Sequence, residues 1–283
     1  MRKVLHMEEG LYLMNKMIAF LGAGSVAEAV ISGMLRSEMV NREQIIVTNR
    51  SNQERLEKMK SKYNVQCMKD KEKAFKHADI VVLAVKPNNV DESLESIKAY
   101  LNPKQLIISI IAGVTTESIT NKIGIDVAVV RVMPNTSASI GYSATAITAG
   151  QFATDEQVAL VEALFKSIGI TSIVAEDDMH IVTAVSGSGP AYVYYLVEAM
   201  EKAATDAGLD SAIANQLITQ TIIGAGEMLR QSGETAVELR KKITSAKGTT
   251  EAGIKSLEEA NFQTIVVESL KCARDRSIEL GKN

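Results

Sequence analysis

The stretch Met17-Ile18-Ala19-Phe20-Leu21-Gly22-Ala23-Gly24-Ser25-Val26-Ala27-Glu28-Ala29 limits what this chain can fold into more than any other. An apolar run short enough for a buried strand stops at Gly22, and the residues after Gly24 favour a helix, so the segment reads as strand, glycine turn and helix start. Gly22 lets the chain turn sharply, Gly24 removes the side chain that would stand over the turn, and Ala27 is small enough for the helix to pack on its own strand. The first helical amides, from Ser25 and Val26 onward, then face an anion site suited to the pyrophosphate of a dinucleotide. A tight strand-to-helix turn that holds nothing has the same pattern. The rest of the chain must decide.

Downstream of this turn, strands and helices alternate repeatedly. Residues 44–48 read as a second strand, with helical or strand patterns at 52–62, 65–67 and 69–77, then the near-continuous Ile/Val run of 80–85. Such a run is expected of a central parallel strand covered on both faces. A helix near 90–100, a strand at 106–110, a short helix after 113–115, a strand at 127–132, a strand at 140–149, a helix at 154–168 and a strand at 171–174 complete the pattern. This order predicts an open, doubly wound α/β sheet of Rossmann type over residues 15–174.

Ligands of such sheets sit outside the carboxyl ends of the strands. Asn49-Arg50-Ser51 comes after the second strand, where an acidic residue commonly binds the adenosine ribose hydroxyls; here the acid is missing. Arg50, the Ser51 hydroxyl and the Asn49 amide can instead hold a 2′-phosphate, which predicts NADPH over NADH with NADH still usable. A solvated surface Arg is the alternative. Ala84-Val85-Lys86-Pro87 ends the central strand, so Lys86 faces the cofactor or caps a strand edge. Met133-Pro134-Asn135 ends a later one, and Asn135 offers both donors and acceptors to a nicotinamide amide or a substrate.

Past residue 175 the strand signal stops, and residues 175–283 read as all-helical. One helical pattern covers 178–207, interrupted at Ser186-Gly187-Ser188-Gly189-Pro190, where Pro removes an amide hydrogen bond. Others cover 211–231, 235–242, 249–259 and 264–280. Their apolar positions exceed what one small bundle hides from water, which predicts packing between subunits.

Composition narrows the partners. A net charge of −3 with 4% aromatic residues and no Trp leaves no material for tracking phosphates or stacking bases, so nucleic acid is not expected. Cys67 and Cys272, with His6, His77 and His180, match no metal spacing, and no metal is expected. No apolar run approaches a membrane span, and Glu8, Glu9 and Gly10 interrupt any signal-like region, so the expectation is a cytoplasmic protein with residues 1–16 as a non-catalytic extension.

The remaining site candidate is Thr244-Ser245-Ala246-Lys247-Gly248-Thr249-Thr250-Glu251-Ala252-Gly253. Small hydroxyl residues and Gly248 lead into a helix start, an arrangement that binds a carboxylate through backbone amides and hydroxyls. A capping box with Glu251 behind a Ser or Thr cap fits the spacing equally well.

Taken in order, Gly22-Ala23-Gly24, Ala84-Val85-Lys86-Pro87, Arg131-Val132-Met133-Pro134-Asn135-Thr136, Ser186-Gly187-Ser188-Gly189-Pro190-Ala191-Tyr192 and the run from Thr244 to Thr250 closely resemble pyrroline-5-carboxylate reductase, over residues 15 to about 280. The resemblance implies a dinucleotide-binding domain followed by a helical dimerisation and substrate domain, assembled as a homodimer or a decamer built from such dimers. It also implies NAD(P)H-dependent reduction of the C=N bond of 1-pyrroline-5-carboxylate to L-proline, the last step of proline biosynthesis. Carried onto this chain, the family pattern puts Ser245, Gly248, Thr249 and Thr250 around the substrate, with Thr250 catalytic through its reach to the ring nitrogen.

Two departures bear on the site. The family's substrate loop is Ser-Pro-Gly-Gly-Thr-Thr, whereas this chain has Ala246-Lys247 where Pro-Gly is expected, and Ser137 stands where Pro is common after Asn135-Thr136. Lys247 either assists anion binding or points to solvent. Two other functions remain compatible with the sequence: an NADP-dependent oxidoreductase of another small imino or hydroxy acid, and a non-catalytic NADP-binding oligomeric protein.

Overall fold

The computed structural model describes residues 16–282; the expected extension at residues 1–15 lies outside the described residues. Eight strands form one sheet: β1 (Ile18–Leu21), β2 (Ile45–Thr48), β3 (Gln66–Cys67), β4 (Ile80–Leu83), β5 (Leu106–Ser109), β6 (Ala128–Met133), β7 (Ser143–Ala149) and β8 (Gly169–Ile173). Their order is β3-β2-β1-β4-β5-β6-β7-β8. The first six run parallel, β7 turns antiparallel to β6, and β8 is parallel to β7.

Helices cover both faces, so β1, β2, β4 and β5 are buried along their whole length. Alternate residues serve two separate cores. Ile18 and Phe20 of β1 join Ile45, Val82 and Phe165 on one side, while Ala19 and Leu21 join Val81, Ile107 and Phe75 on the other. The first core rests largely on α1 (Ser25–Arg36) and α6 (Asp155–Lys166). Between them come α2 (Gln53–Tyr63), α3 (Lys71–Phe75), α4 (Val90–Glu95) and α5 (Thr116–Ile123). The helix expected over 90–100 stops at Glu95 and resumes only as a 3₁₀ turn at Lys98–Tyr100. The strand expected over 140–149 begins at Ser143, because Thr136–Ile140 forms a 3₁₀ turn ended by the left-handed Gly141.

The helical region starts with α7 (Met179–Val182), which passes through a π-turn at Thr183–Gly187 into α8 (Gly189–Asp206). Beyond it lie α9 (Ser211–Gln231), α10 (Ala236–Lys242), α11 (Thr249–Glu259) and α12 (Phe262–Lys282). The chain divides into two compact units, one running to Ser188 and resuming at Cys272, the other spanning Gly189–Lys271. Polar contacts keep the residues just past 174 with the sheet. Arg131 on β6, fully buried, pairs with Glu176 at 2.5 Å, and Glu176 also accepts from the Thr116 hydroxyl at 2.8 Å. His180 Nδ1 meets Ser277 Oγ at 3.0 Å; burial, and then the Arg131 charge, hold this imidazole below its usual pKa. Among the described residues no helix is long and apolar enough to cross a membrane.

Candidate functional site

Three strand ends build the first candidate site. The Gly22 amide donates to Thr48 O at 3.1 Å and the Ala84 amide to Leu21 O at 2.9 Å, which ties the carboxyl ends of β1, β2 and β4 together. Gly22 takes φ +113°, and an added Cβ would lie 2.4 Å from the Ala84 carbonyl oxygen. No other residue fits there. Gly24 differs: it precedes α1 with no side-chain cap, and no atom lies within 4 Å of where its Cβ would stand. Space is therefore open beside Gly24, next to the uncapped start of α1, a condition for an anion to approach. Ala27, 1% exposed, closes the other side of the helix onto the sheet.

A cleft of about 430 Å³ opens at this point, where the strand order reverses between β1 and β4. Among the expected cofactor residues it gathers Gly22, Gly24, Asn49, Arg50, Ser51, Ala84, Val85 and Lys86. Ser25, Val26, Pro87, Met133, Pro134 and Asn135 are not in its lining. Asn135 is 8% exposed and its carboxamide is engaged within the chain, accepting from the Ser137 amide at 3.0 Å and donating to Ser186 O at 3.0 Å. Close approach explains the small residues at 186–187, since a Cβ on Gly187 would lie 2.7 Å from Met133 Cε.

Two supports of the cleft have no counterpart among the residues expected from the sequence. Arg55, on α2, donates to Ala23 O at 2.6 Å and Gly24 O at 3.3 Å and pairs with Glu28 at 2.5 Å, bracing the glycine turn from behind. Glu28 also accepts from Lys62 and Tyr63, each at 2.9 Å. These bonds, Lys62's first, outweigh burial and hold the Glu28 carboxyl down to about 2. Its negative charge, lying in the first turn of α1, is thereby offset by Arg55 and Lys62. The other support is Glu92 of α4, which lines the cleft and forms an ion pair with Arg50. An acid in the first turn of a short helix looks like ordinary dipole complementation in sequence. Its partner 42 residues earlier is a tertiary fact.

The loop before α11, in the other compact unit, is a second candidate by itself. The Gly248 amide donates to Ser245 O at 3.0 Å, and the Lys247 amide donates to Glu251 Oε2 at 2.7 Å. Gly248 is the N-cap and carries no side-chain cap, so the capping box that the spacing allowed does not form. A Cβ on Gly248 would sit 2.5 Å from Ser245 Oγ, so the hydroxyl lies directly over the start of the helix. Thr249 and Thr250 occupy the first turn, whose amides lack a side-chain cap. Lys247 stands exposed at φ +60°, the left-handed conformation that glycine adopts freely and Lys does not. No cluster of His, Cys, Asp or Glu suited to a metal ion occurs among the described residues.

Two family models match the chain. One, described as pyrroline-5-carboxylate reductase dimerisation, covers residues 176–280, and one, described as NADP oxidoreductase coenzyme F420-dependent, covers residues 17–113. Pyrroline-5-carboxylate reductase 2 of Bacillus subtilis strain 168 is 46% identical over 94% of this chain and 95% of its own length. The crystal structure of Plasmodium falciparum pyrroline carboxylate reductase with NADP bound superposes with a TM-score of 0.88 at 30% identity, covering 95% of this chain and 99% of that one. A pyrroline-5-carboxylate reductase from Coxiella burnetii gives 0.84 at 36% identity over the same shares. With the glycine turn, the cleft at the sheet's switch point and the uncapped start of α11 agreeing with similarity along almost the whole chain, this protein belongs to the pyrroline-5-carboxylate reductase family.

Proposed function

We propose that the chain reduces 1-pyrroline-5-carboxylate to L-proline with NADPH, NADH serving as a second donor, as a homo-oligomer of the cytoplasm. The division of labour assigns residues 15–174 to the dinucleotide and 175–283 to substrate and dimerisation, the homodimer or a decamer of such dimers being the assembly. The family's dimerisation model, beginning at residue 176, supports that boundary.

The cleft fits the cofactor on its own terms. Open space over Gly24 admits a pyrophosphate, and Arg50 with Ser51 offers charge and hydrogen bonds to a 2′-phosphate. Lys86, Ala84 and Val85 line the same cleft. When bound, NADPH supplies a hydride for the imine carbon. The chain's own residues then bind, orient and exclude water.

The observation that carries the substrate reading is the start of α11, an eleven-residue helix whose first turn has no side-chain cap and whose Gly248 lies under the Ser245 hydroxyl. Amides of Thr249 and Thr250, together with Ser245, hold the substrate carboxylate there. The Thr250 hydroxyl donates to the ring nitrogen. Drawing electron density to nitrogen makes the C=N carbon a better hydride acceptor, and solvent supplies the proton that completes the amine. No dedicated acid is needed.

The test is loss of NADPH absorbance on adding pyrroline-5-carboxylate, repeated with NADH. Turnover that depends on the imine is expected. Folded protein that binds cofactor but turns over neither donor with this substrate would overturn the reading and favour another small imino acid admitted by the Ala246-Lys247 loop. Thr250→Ala is expected to lower kcat/KM by about 1–3 kcal/mol, the scale of one buried hydrogen bond left unmade. Unchanged kinetics would remove Thr250 from the mechanism.

A further inference from the structure

We infer that Glu92 sets the discrimination between NADPH and NADH by competing with the cofactor's 2′-phosphate for Arg50. The inference rests on the NADP reading of the cleft and goes beyond it. Among the described residues lining that cleft Glu92 is the only carboxylate, and it comes from α4, not from the end of β2 where an acid would select the ribose hydroxyls. Both Glu92 and Arg50 line the cleft, and the two side chains are paired. In the same lining Lys71 donates to Ser96 Oγ at 2.7 Å, and the Ser96 hydroxyl in turn donates to Ser93 O at 2.6 Å. The cleft lining thus gathers the cations Arg50, Lys71 and Lys86, one carboxylate and several hydroxyls.

The competition arises from charge. Arg50 and Glu92 are 62% and 64% exposed, so their pair is solvent-screened and exchanges readily. A 2′-phosphate carries close to two negative charges near neutral pH and binds a guanidinium through two parallel hydrogen bonds. To gain Arg50 it must displace Glu92, and the displaced carboxylate stays at the rim of the same cleft, repelling the dianion. A cofactor with a plain 2′,3′-diol meets the opposite situation. Its hydroxyls donate to the carboxylate and leave Arg50 where it is. Glu92 therefore opposes one cofactor and favours the other, and discrimination is the difference between the two affinities.

The experiment is calorimetric titration of the full-length protein with 2′,5′-ADP and with ADP at fixed ionic strength, for wild type, Glu92→Gln, Arg50→Ala and the double variant. Both positions are exposed, and matching thermal melts establish that the variants fold. Glu92→Gln is expected to bind 2′,5′-ADP about 3- to 10-fold more tightly with no gain for ADP, and to raise the NADPH:NADH ratio of kcat/KM in the same sense. In the Arg50→Ala background the gain from Glu92→Gln should shrink to less than half. Equal 2′,5′-ADP affinity in wild type and Glu92→Gln overturns the inference, as does equal tightening of both ligands. If Arg50→Ala itself leaves 2′,5′-ADP binding unchanged, the phosphate reading of the cleft fails and the inference falls with it. If Arg50→Ala weakens 2′,5′-ADP while Glu92→Gln changes nothing, only the competition is wrong.

Discussion

The sheet region and the helical region solve the problem of hiding apolar surface in opposite ways. In the first, β1 and β4 are buried end to end, and Phe20, Phe75 and Phe165 show no exposed surface at all. In the second, α8 contributes no buried residue and α9 only Ala214 and Ile218, while Tyr195 is 77% and Leu217 56% exposed. Both stretches carry amphipathic or apolar sequence. The difference is where the partner comes from: the inner strands of the sheet find it within their own chain, and the helical region, matched by a dimerisation family model, leaves its apolar side chains for another copy.

That contrast is open to direct attack. The largest effect is expected from Phe165→Ala, which should cost about 3–5 kcal/mol of stability by opening a cavity in a core that cannot collapse around it. A urea midpoint equal to the wild type's would mean that the sheet region does not stand on its own packing. Next, Leu217→Asp should weaken assembly by about 2–3 kcal/mol per buried side chain lost, seen as a lower sedimentation coefficient and a melting temperature that depends more steeply on protein concentration. An unaltered mass would show that α9 meets water in the assembly.

A smaller effect belongs to Glu28, behind the glycine turn. Its folded pKa lies below the ordinary 4.5, at about 2, so the charged form stabilises the fold. That stabilisation is fully present above the unfolded value and is lost as pH falls through the folded one. Glu28→Gln should therefore melt lower than wild type by an amount worth about 1–2 kcal/mol at pH 7, after allowance for solvent screening, and the gap should close between about pH 5 and pH 2. A gap that does not vary with pH would assign the loss to packing. The smallest effect is Lys247→Gly. Relief of the left-handed backbone outweighs the greater freedom of glycine in the unfolded chain, and a gain of at most about 1 kcal/mol is expected in thermal melts. A loss would mean that the Lys247 side chain stabilises its loop.

Much of the fold is legible in the residues alone, for reasons that differ by position. The Ile/Val run after Asp79 marks a central strand because both faces are covered, and α9 and α11 fall where their patterns put them. Direction is harder to read. Alternation along β7 gives a period but no polarity; the clue lies in the nine residues between Met133 and Ser143, too few for the crossover that a parallel strand requires. Arg131 is hidden inside an apolar run, since its counter-ion Glu176 is 45 residues away. In the turn, Gly22 is recognisable because the backbone conformation it takes, φ +113°, is a local demand that glycine meets. Arg55 and Glu92 are not, and neither is the partner that the candidate Asn135 takes in the chain, because what a polar side chain does depends on which distant partner reaches it first.

The placing of β1 has a consequence in time. Ile18 pairs on one side with Ile45 and on the other with Ile80, about sixty residues further along the chain. At ~5–20 residues per second, a ribosome needs several seconds after making β1 before β4 exists to flank it. Throughout that interval an apolar strand of the nascent chain carries an open edge, and long-range parallel pairing is slow even once both strands are free. The glycine turn at Gly22, packed against Ala84, is therefore among the later features of the first half of the protein to form.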